Sequence, residues 1–291
     1  MSGAQVSLLP DGRRLHLNHG PMDLIIEAYG TPQAVHLAYA RAAARFEGLL
    51  EALVAELPDL RSPEALPLRG PVAQAMAQAV APFRPDFITP MAAVAGAVAD
   101  AVMAAVAGAG ITRAYVNNGG DIALHLTPGQ NLTAAIVAKA GWQAGRPDSV
   151  TIRYADRVRG IATSGWRGRS FSLGIADAVT VLARTAAMAD AAATMIANAV
   201  DLPGHQGITR CPADQIKADS DLGARAVTVA VARLAPGDVG RALDAGLAAA
   251  NTFRGRGLIE GAALFLQGEL RTVGAMPLAA VPPLTPETCL G

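Results

Sequence analysis

The chain has 291 residues, and its 24 basic and 24 acidic side chains leave no formal net charge. Only Lys139 and Lys217 are lysines, and no segment gathers positive charge into a stripe, so nucleic acid is not expected as a partner. A chain of this length forms one large domain or two smaller ones and can bury a substantial core.

The cysteines and the apolar segments exclude further classes of protein. Cys211 and Cys289 lie far apart without metal-ligand spacing, which predicts neither a disulfide framework nor a zinc site. The first residues lack the charged and apolar regions of a signal peptide. The longest apolar stretch, 91–107, is mostly alanine and contains Asp100, so it is interpreted as a core helix rather than a membrane span. We therefore expect a cytoplasmic protein with no membrane segment.

The N-terminal part of the chain predicts a hairpin, a further strand and a long helix. In chain order, the strands are expected at 6–9, 13–17 and 23–28. Asp11-Gly12 is a typical hairpin turn between the first two. Thr31 suits a helix N-cap and Pro32 a first helical residue. Apolar residues then recur every three or four positions until Pro58 ends the helix, and a proline-rich loop is predicted over 58–72.

The remainder mixes strands with alanine-rich helices. Helices are predicted from Thr89-Pro90 to the glycines 108 and 110, from Thr185 to Val200 and over 239–250. Strands are predicted at 113–117, 121–126, 131–138, 149–154, 158–162, 178–183 and 226–232, with a closing hairpin around Gly268-Glu269. Because hairpins alternate with helices, the order indicates an α+β fold rather than a doubly wound parallel sheet.

A polar turn separates two of these strands. It consists of Asn117, Asn118, Gly119, Gly120 and Asp121. Glycines allow positive φ and carry no Cβ, so a ligand can lie directly against the backbone. The amides and the carboxylate offer donors and acceptors for a ribose, a heterocycle edge or a cation. The alternative is an ordinary Asn-Gly hairpin turn.

Asp190 and Thr194 are four residues apart on a predicted helix and therefore stand on one face of it. A carboxylate and a hydroxyl are hard oxygen ligands of the kind that Mg²⁺ takes, with waters and phosphates completing its shell. We expect both side chains to point into the same pocket as the Gly119-Gly120 turn. The alternative is that the threonine bonds to a carbonyl one turn back and Asp190 faces water.

A loop of small hydroxylated residues, Thr163, Ser164 and Gly165, follows the predicted strand 158–162. Its backbone N–H groups and hydroxyls could hold a phosphate. An aromatic ring and two guanidiniums come next, those of Trp166, Arg167 and Arg169. The alternative is an ordinary turn.

Two other features of the sequence give weaker indications of function. Of the five histidines, only His125 adjoins the glycine motif, and a lone histidine is usually structural. The segment 219–223 (Asp-Ser-Asp-Leu-Gly) resembles part of a calcium loop without its later acidic ligands, and is interpreted as a turn.

Taken in order, several of these motifs resemble the ApbE superfamily of FAD:protein FMN transferases. The resembling segments are 90–100, 117–121, 162–165, 179–182 and 189–194. The whole chain is more similar to a shorter, cytoplasmic, uncharacterised branch of that superfamily, on the segments 19–24, 89–96, 116–122 and 219–223.

The resemblance implies a single ApbE-like domain over 1–291, within which 1–85 and 86–291 could form sub-lobes. It implies an FAD site in which Asp190 and Thr194 bind Mg²⁺, joined by a backbone carbonyl near Ala92. The turn 117–121 and the loop 163–165 would contact the nucleotide. A threonine of an acceptor protein would attack the FAD pyrophosphate, leaving FMN attached and releasing AMP.

Two departures from the family pattern qualify that expectation. The stretch 170–177 lacks the family's histidine, proline and Thr-Gly, and Ala95 replaces a lysine. A base and a cation are therefore missing, and Asp177 is the preferred substitute for the base, ahead of Asp121 and His125. We expect FAD binding with weak or absent flavin transfer. The alternatives are a nucleotide-binding protein that is non-catalytic or hydrolyses the pyrophosphate slowly, and a structural scaffold.

Overall fold

The computed structural model describes residues 3–136, 148–274, 276 and 278–280. Cys289, Lys139 and the end of the predicted strand 131–138 lie outside the described residues, whereas Cys211 is described and is a free thiol. The described helices are α1 (Pro32–Phe46), α2 (Leu49–Ala55), α3 (Leu57–Leu60), α4 (Pro71–Val80), α5 (Val94–Val106), α6 (Ala186–Ala199), α7 (Ala213–Ile216) and α8 (Pro236–Gly255). Short 3-10 turns cover Ala81–Phe83 and Pro90–Ala93.

The described strands are β1 (Gln5–Leu8), β2 (Leu15–His19), β3 (Met22–Gly30), β4 (Ile111–Asn118), β5 (Asp121–Leu126), β6 (Asn131–Ile136), β7 (Asp148–Arg153), β8 (Gly160–Ser164), β9 (Ala178–Ala183), β10 (Ile208–Pro212), β11 (Ala226–Val231), β12 (Gly261–Leu266), β13 (Glu269–Gly274) and β14 (Leu278–Ala280). Nine of them form one sheet in the order β1-β2-β3-β4-β5-β8-β9-β12-β13. All neighbours in that sheet pair antiparallel.

The centre of the large sheet is buried on both faces. Helices α5 and α6 pack on one face, over alternate residues such as Val116 and Ala123. The opposite face, with Leu124 and Ile161, packs against Val150 and Ile152 of the small sheet β14-β7-β6. This explains why β9 and β12 are buried at every residue rather than at alternate ones. The mixture of antiparallel hairpins and covering helices confirms the predicted α+β class.

Small residues let α5 and α6 approach each other and the sheet closely. A Cβ added at Gly96 of α5 would lie 2.3 Å from the carbonyl oxygen of Ala186 in α6. A Cβ added at Gly160 of β8 would lie 2.1 Å from the carbonyl carbon of Thr185. Because backbone atoms cannot rotate away, these two glycines determine where the first turn of α6 lies.

Several predicted boundaries were right and others were wrong. Thr185 caps α6 as predicted, accepting a hydrogen bond from the Met188 N–H. The long helix predicted to end at Pro58 is instead three helices, because Gly48 adopts φ +71 and Pro58 sits in the first turn of α3. The predicted loop 58–72 contains α3 and the first residues of α4. Strand β10 and helix α4 were not predicted. No helix among the described residues is long and apolar enough to cross a lipid bilayer.

Candidate functional site

The antiparallel order brings the predicted motifs to one end of the large sheet. At this end β4, β8 and β12 finish and β5, β9 and β13 begin. We call it the turn edge. It holds the turn 117–121, the loop 163–165, Asp177 and the turn at Gln267-Gly268. Residues as far apart in sequence as Asn117 and Gly268, 151 positions, therefore share one edge because of strand pairing.

The glycine turn has the backbone conformation that its sequence predicts. Gly119 has φ +65 and Gly120 φ +118, which confirms the expected positive φ. Asn117 Oδ1 accepts a hydrogen bond from the Gly120 N–H at 2.8 Å. The buried Asn118 donates through Nδ2 to the Ala95 carbonyl at 3.1 Å, at the beginning of α5. Both amides thus hold the turn in place and fasten it to a helix N-terminus.

Asp121 lies where this turn enters β5, on the face of the sheet covered by the helices. Its Oδ1 accepts a hydrogen bond from the Thr163 N–H at 3.3 Å. Burial raises the pKa of Asp121 to about 7, although the Thr163 N–H and the Arg169 guanidinium both lower it. A pKa raised this far means that the surrounding groups do not fully stabilise the negative charge of the ionised carboxyl.

Asp190 projects from α6 onto the N-terminus of α5. Its Oδ2 accepts a hydrogen bond from the Gly96 N–H at 3.0 Å. Asp100 of α5 does the reverse, accepting from Ala186 and Ala187 at the N-terminus of α6 at 3.0 and 2.9 Å. Each helix thus supplies a carboxylate to the other's unpaired N–H groups.

The two aspartates at the turn edge repel each other. Burial, and next the negative charge of Asp121, raise the pKa of Asp190 well above its ordinary value, against the N–H groups of Gly96 and Ala95 that lower it. A carboxyl whose ionisation is opposed by burial and by a neighbouring carboxylate is stabilised in its charged form when a cation binds beside it. Within the described residues no group of three or more His, Cys, Asp or Glu side chains could hold a metal ion. A cation here would take only part of its shell from carboxylates, as Mg²⁺ commonly does.

The other two predicted metal ligands lie on the same helix as Asp190 and on a turn that packs against it. Thr194 is one turn beyond Asp190 on α6 and is half-buried. Its hydroxyl makes no hydrogen bond with any described residue, so it does not bond back to a carbonyl, as Thr252 does on α8. Ala92 lies in the Pro90–Ala93 turn, which contacts α6. The Thr194 side chain thus lies one helical turn from Asp190, and the roles of its hydroxyl and of the Ala92 carbonyl as metal ligands stay predictions.

Contacts within the protein already account for two residues of the predicted phosphate loop, Thr163 and Gly165. The Thr163 hydroxyl lies 2.9 Å from that of Thr180, on the sheet face away from the helices. Ser164 alternates to the helix-covered face and is half-buried. A Cβ added at Gly165 would lie 2.6 Å from the Asp177 carbonyl oxygen, so close backbone packing already explains this glycine.

Asp177 is held on both sides. Its Oδ1 accepts from Arg167 Nε at 2.7 Å, and its Oδ2 accepts from the Gln267 N–H at 2.6 Å. The Arg167 guanidinium also lies 4.5 Å from the Trp166 ring centroid. The carboxyl thus fastens the loop after β8 to the β12–β13 turn, and its role as a base stays a prediction.

His125 shares the helix-covered face of β5 with Asp121. Four residues of strand separate the two by about 13 Å, so they cannot act on one proton. His125 Nε2 is buried without a hydrogen-bond partner among the described residues.

Sequence reasoning missed three contributors to this site. Arg169 was noted only as a neighbour of the loop, yet its guanidinium lies against Gly119. Asp100 was read only as an interruption of an apolar stretch. The segment 219–223 is a turn, as predicted, and Asp221 accepts a hydrogen bond from Thr89 at 2.5 Å, just before the Pro90–Ala93 turn. The sequence signal that could have identified Asp100 is its position as an isolated acidic residue in an alanine-rich helix.

A family model described as AbpE bacteria matches residues 6–272 of the chain. The UPF0280 protein of Methanococcoides burtonii is 39% identical over 122 residues, which are 42% of this chain and 49% of that protein. The UPF0280 protein of Methanothrix thermoacetophila is 38% identical over 131 residues, 45% of this chain and 52% of that protein. The chain spans about half the length of the curated relatives it matches.

Two solved structures also align with the chain. The apo flavinyl transferase ApbE of Pseudomonas stutzeri is 13% identical, with a TM-score of 0.49 over 94% of this chain and 95% of that one. A mutant of the flavin transferase ApbE from Vibrio cholerae is 13% identical, with a TM-score of 0.45 over 90% of this chain and 98% of that one.

Proposed function

Because the chain belongs to the AbpE bacteria family, which confirms the resemblance to the ApbE superfamily, we propose that it binds FAD together with Mg²⁺ at the turn edge. The observation that supports this most directly is the pair of mutually repelling carboxyls, Asp121 and Asp190, beside a glycine turn. Buried like charges are costly, and they are typical of sites that bind a cation or carry out proton transfer.

The residues present suit a magnesium-bound pyrophosphate. Asp190 and Thr194, with a carbonyl at Ala92, are the proposed ligands, and we propose Asp121 of β5 as a fourth. All four offer the oxygen ligands that Mg²⁺ prefers. When bound, the ion would polarise the pyrophosphate and stabilise charge on the departing phosphate. A Cβ added at Gly120 would meet no atom within 4 Å, so a nucleotide can approach the backbone of the turn at that residue.

The family chemistry is transfer of FMN to a threonine of an acceptor protein, and we propose that in this chain the transfer is weak or absent although FAD binds. The attacking hydroxyl must lose a proton to a group within hydrogen-bond reach. Asp177 remains the predicted base, but both of its oxygens already accept hydrogen bonds. Asp121, with a pKa of about 7, is the second candidate for that role.

The engagement of Asp177 favours a second candidate function, nucleotide binding with slow hydrolysis of the pyrophosphate or none. The two functions differ in their products. FMN transfer labels an acceptor protein and releases AMP, hydrolysis releases AMP and free FMN, and pure binding releases neither. We propose that either activity takes place in the cytoplasm.

The decisive measurement is binding of FAD, FMN and ATP to the intact chain, with Mg²⁺ or with EDTA, by thermal shift and calorimetry. A ligand of the native state raises the apparent stability. We expect FAD with Mg²⁺ to raise the melting temperature and EDTA to abolish the effect. In Asp190→Asn the amide oxygen can still accept the Gly96 N–H, so folding should survive while Mg²⁺-dependent binding is lost.

Asp244→Asn is the matched control, since it removes an exposed carboxylate of α8 that lies 3.7 Å from Arg271. It should bind FAD as the wild type does. Wild-type protein that gains no stability from FAD and Mg²⁺ would contradict the proposed function. Strong flavin fluorescence on a threonine-bearing acceptor would show that transfer does not need the missing histidine.

A further inference from the structure

The guanidinium of Arg169 lies directly against the glycine turn. A Cβ added at Gly119 would be 1.9 Å from Arg169 Nη2 and 3.0 Å from its Cζ. Any side chain at position 119 would therefore push the arginine away, besides being strained at φ +65. Gly119 therefore permits the positive φ of the turn, and its lack of a side chain leaves space for the Arg169 guanidinium.

The two arginines of this loop differ in how their charge is used. Arg167 forms an ion pair with Asp177 and stacks over Trp166. Arg169 forms no ion pair within 4 Å with any described residue, and its side chain is exposed. Its charge acts on Asp121, whose pKa it lowers, but no carboxylate pairs with it directly, so Arg169 is the cation of this loop that a ligand can still contact.

The charges around Arg169 restrict what that ligand can be. A planar guanidinium suits the paired oxygens of a phosphate or carboxylate. A simple anion would also meet the repulsion of Asp121 and Asp190 nearby. A diphosphate that carries a divalent cation avoids this repulsion, because its cation faces the carboxylates and its remaining oxygens face the guanidinium.

We infer that Arg169 is the residue that recognises the diphosphate of a nucleotide at this site, as a second contact beside the carboxylate pair. The inference rests on the proposed function and deepens it. It separates two roles: the aspartates hold the divalent cation, and Arg169 holds the anion. The ligand class is therefore a magnesium-bound nucleoside diphosphate or dinucleotide, in which the flavin contributes separately.

Calorimetric titration of the full chain tests this division of roles. The probes are Mg²⁺ alone, inorganic pyrophosphate with Mg²⁺, ADP with Mg²⁺, FAD with Mg²⁺, and riboflavin. Arg169→Gln should weaken binding of the three phosphate probes by about 10- to 100-fold, as expected for loss of a charge-assisted hydrogen bond. It should leave the affinity for riboflavin unchanged and should not weaken binding of Mg²⁺ alone, because a guanidinium repels the cation rather than holding it. Asp190→Asn should weaken Mg²⁺ itself.

Two further variants sharpen the result. Arg169→Lys keeps the charge but not the planar fork, so its affinity should be intermediate. Arg157→Gln removes an exposed arginine that lies 3.7 Å from Glu260, beyond the opposite end of β8, and should bind as the wild type does. Because Arg169 is exposed, we expect unchanged melting temperatures for its variants without ligand.

The outcomes separate the inference from the proposed function. If Arg169→Gln binds pyrophosphate and FAD as the wild type does, the inference is overturned and the function stands. If the wild type binds pyrophosphate but not FAD, and the variant binds pyrophosphate weakly, the function fails and the inference stands. If the wild type binds none of the phosphate probes, both are overturned.

Discussion

The charge of a single carboxyl, Asp121, has consequences for both stability and ligand binding. Its side chain lies on the helix-covered face of β5, where burial raises its pKa. It is also close enough to Asp190 of α6 to raise the pKa of that carboxyl. Neither the Thr163 N–H nor Arg169 offsets this fully, because the pKa of Asp121 stays near 7. At neutral pH the folded protein thus carries an unfavourable charge that a bound cation would relieve.

This arrangement predicts a dependence of stability on pH. The pKa of Asp121 is raised from 3.8 to about 7 on folding, so the folded state holds this proton more tightly than the unfolded state. The contribution is complete below about pH 4 and is lost as the pH rises through about 7. We expect the free energy of unfolding without metal to fall between pH 5 and pH 8, and to fall less in Asp121→Asn. Urea denaturation at both pH values measures this.

Added Mg²⁺ supplies the control for that prediction. At pH 8 it should stabilise the wild type more than Asp121→Asn, because only the wild type carries the second charge. Equal slopes of stability against pH in the two proteins would contradict the raised pKa.

At the scale of elements, the site depends on how α5 and α6 hold each other. Asp100 caps α6 and Asp190 contacts the N-terminus of α5, so each carboxylate fixes the helix that carries the other. Gly96 and Gly160 allow the approach that these contacts need. Asp190 is therefore part of the helix packing as well as a proposed metal ligand, and its alanine variant would mix the two effects.

The close approach at Gly96 predicts a large cost for a single methyl group. In Gly96→Ala the new Cβ would lie 2.3 Å from a backbone oxygen of α6, which cannot rotate away. We expect a loss of about 2 kcal/mol in the free energy of unfolding, typical of overpacking, and displacement of Asp190. Chemical denaturation and Mg²⁺ titration would measure the two effects.

Gly240→Ala is the matched control, because no atom lies within 4 Å of a Cβ added there in the helix α8. It should stabilise the protein by up to about 1 kcal/mol through helix propensity. A Gly96→Ala variant as stable as this control would show that the helices can move apart.

At the scale of the whole molecule, the division into sub-lobes 1–85 and 86–291 stays a prediction to be tested. Strands β2 and β3 continue the same sheet as β4, and their buried residues Leu17, Leu24 and Ile26 belong to the same apolar cluster as Val116 and Val181. We expect one cooperative transition, with equal calorimetric and van't Hoff enthalpies in differential scanning calorimetry. Two resolved transitions would favour the sub-lobes.

The sequence by itself determined the features that depend on neighbouring residues. Thr185 marked the beginning of α6, and the segment 178–183 was predicted with the bounds of β9, because caps and short apolar runs act locally. The Asn-Gly-Gly-Asp turn was recognisable since positive φ demands glycine. The break at Gly48 was missed because the apolar periodicity continues across it.

Only the tertiary structure decided which polar groups meet. Asp121 and Asp190 are 69 positions apart, and their repulsion arises from strand pairing and helix packing that local patterns do not specify. The partner of Asp177 and the position of Arg169 over Gly119 were undetermined for the same reason. The fold of the backbone sets where an arginine begins, but packing and charge in the tertiary structure decide which group its long side chain contacts.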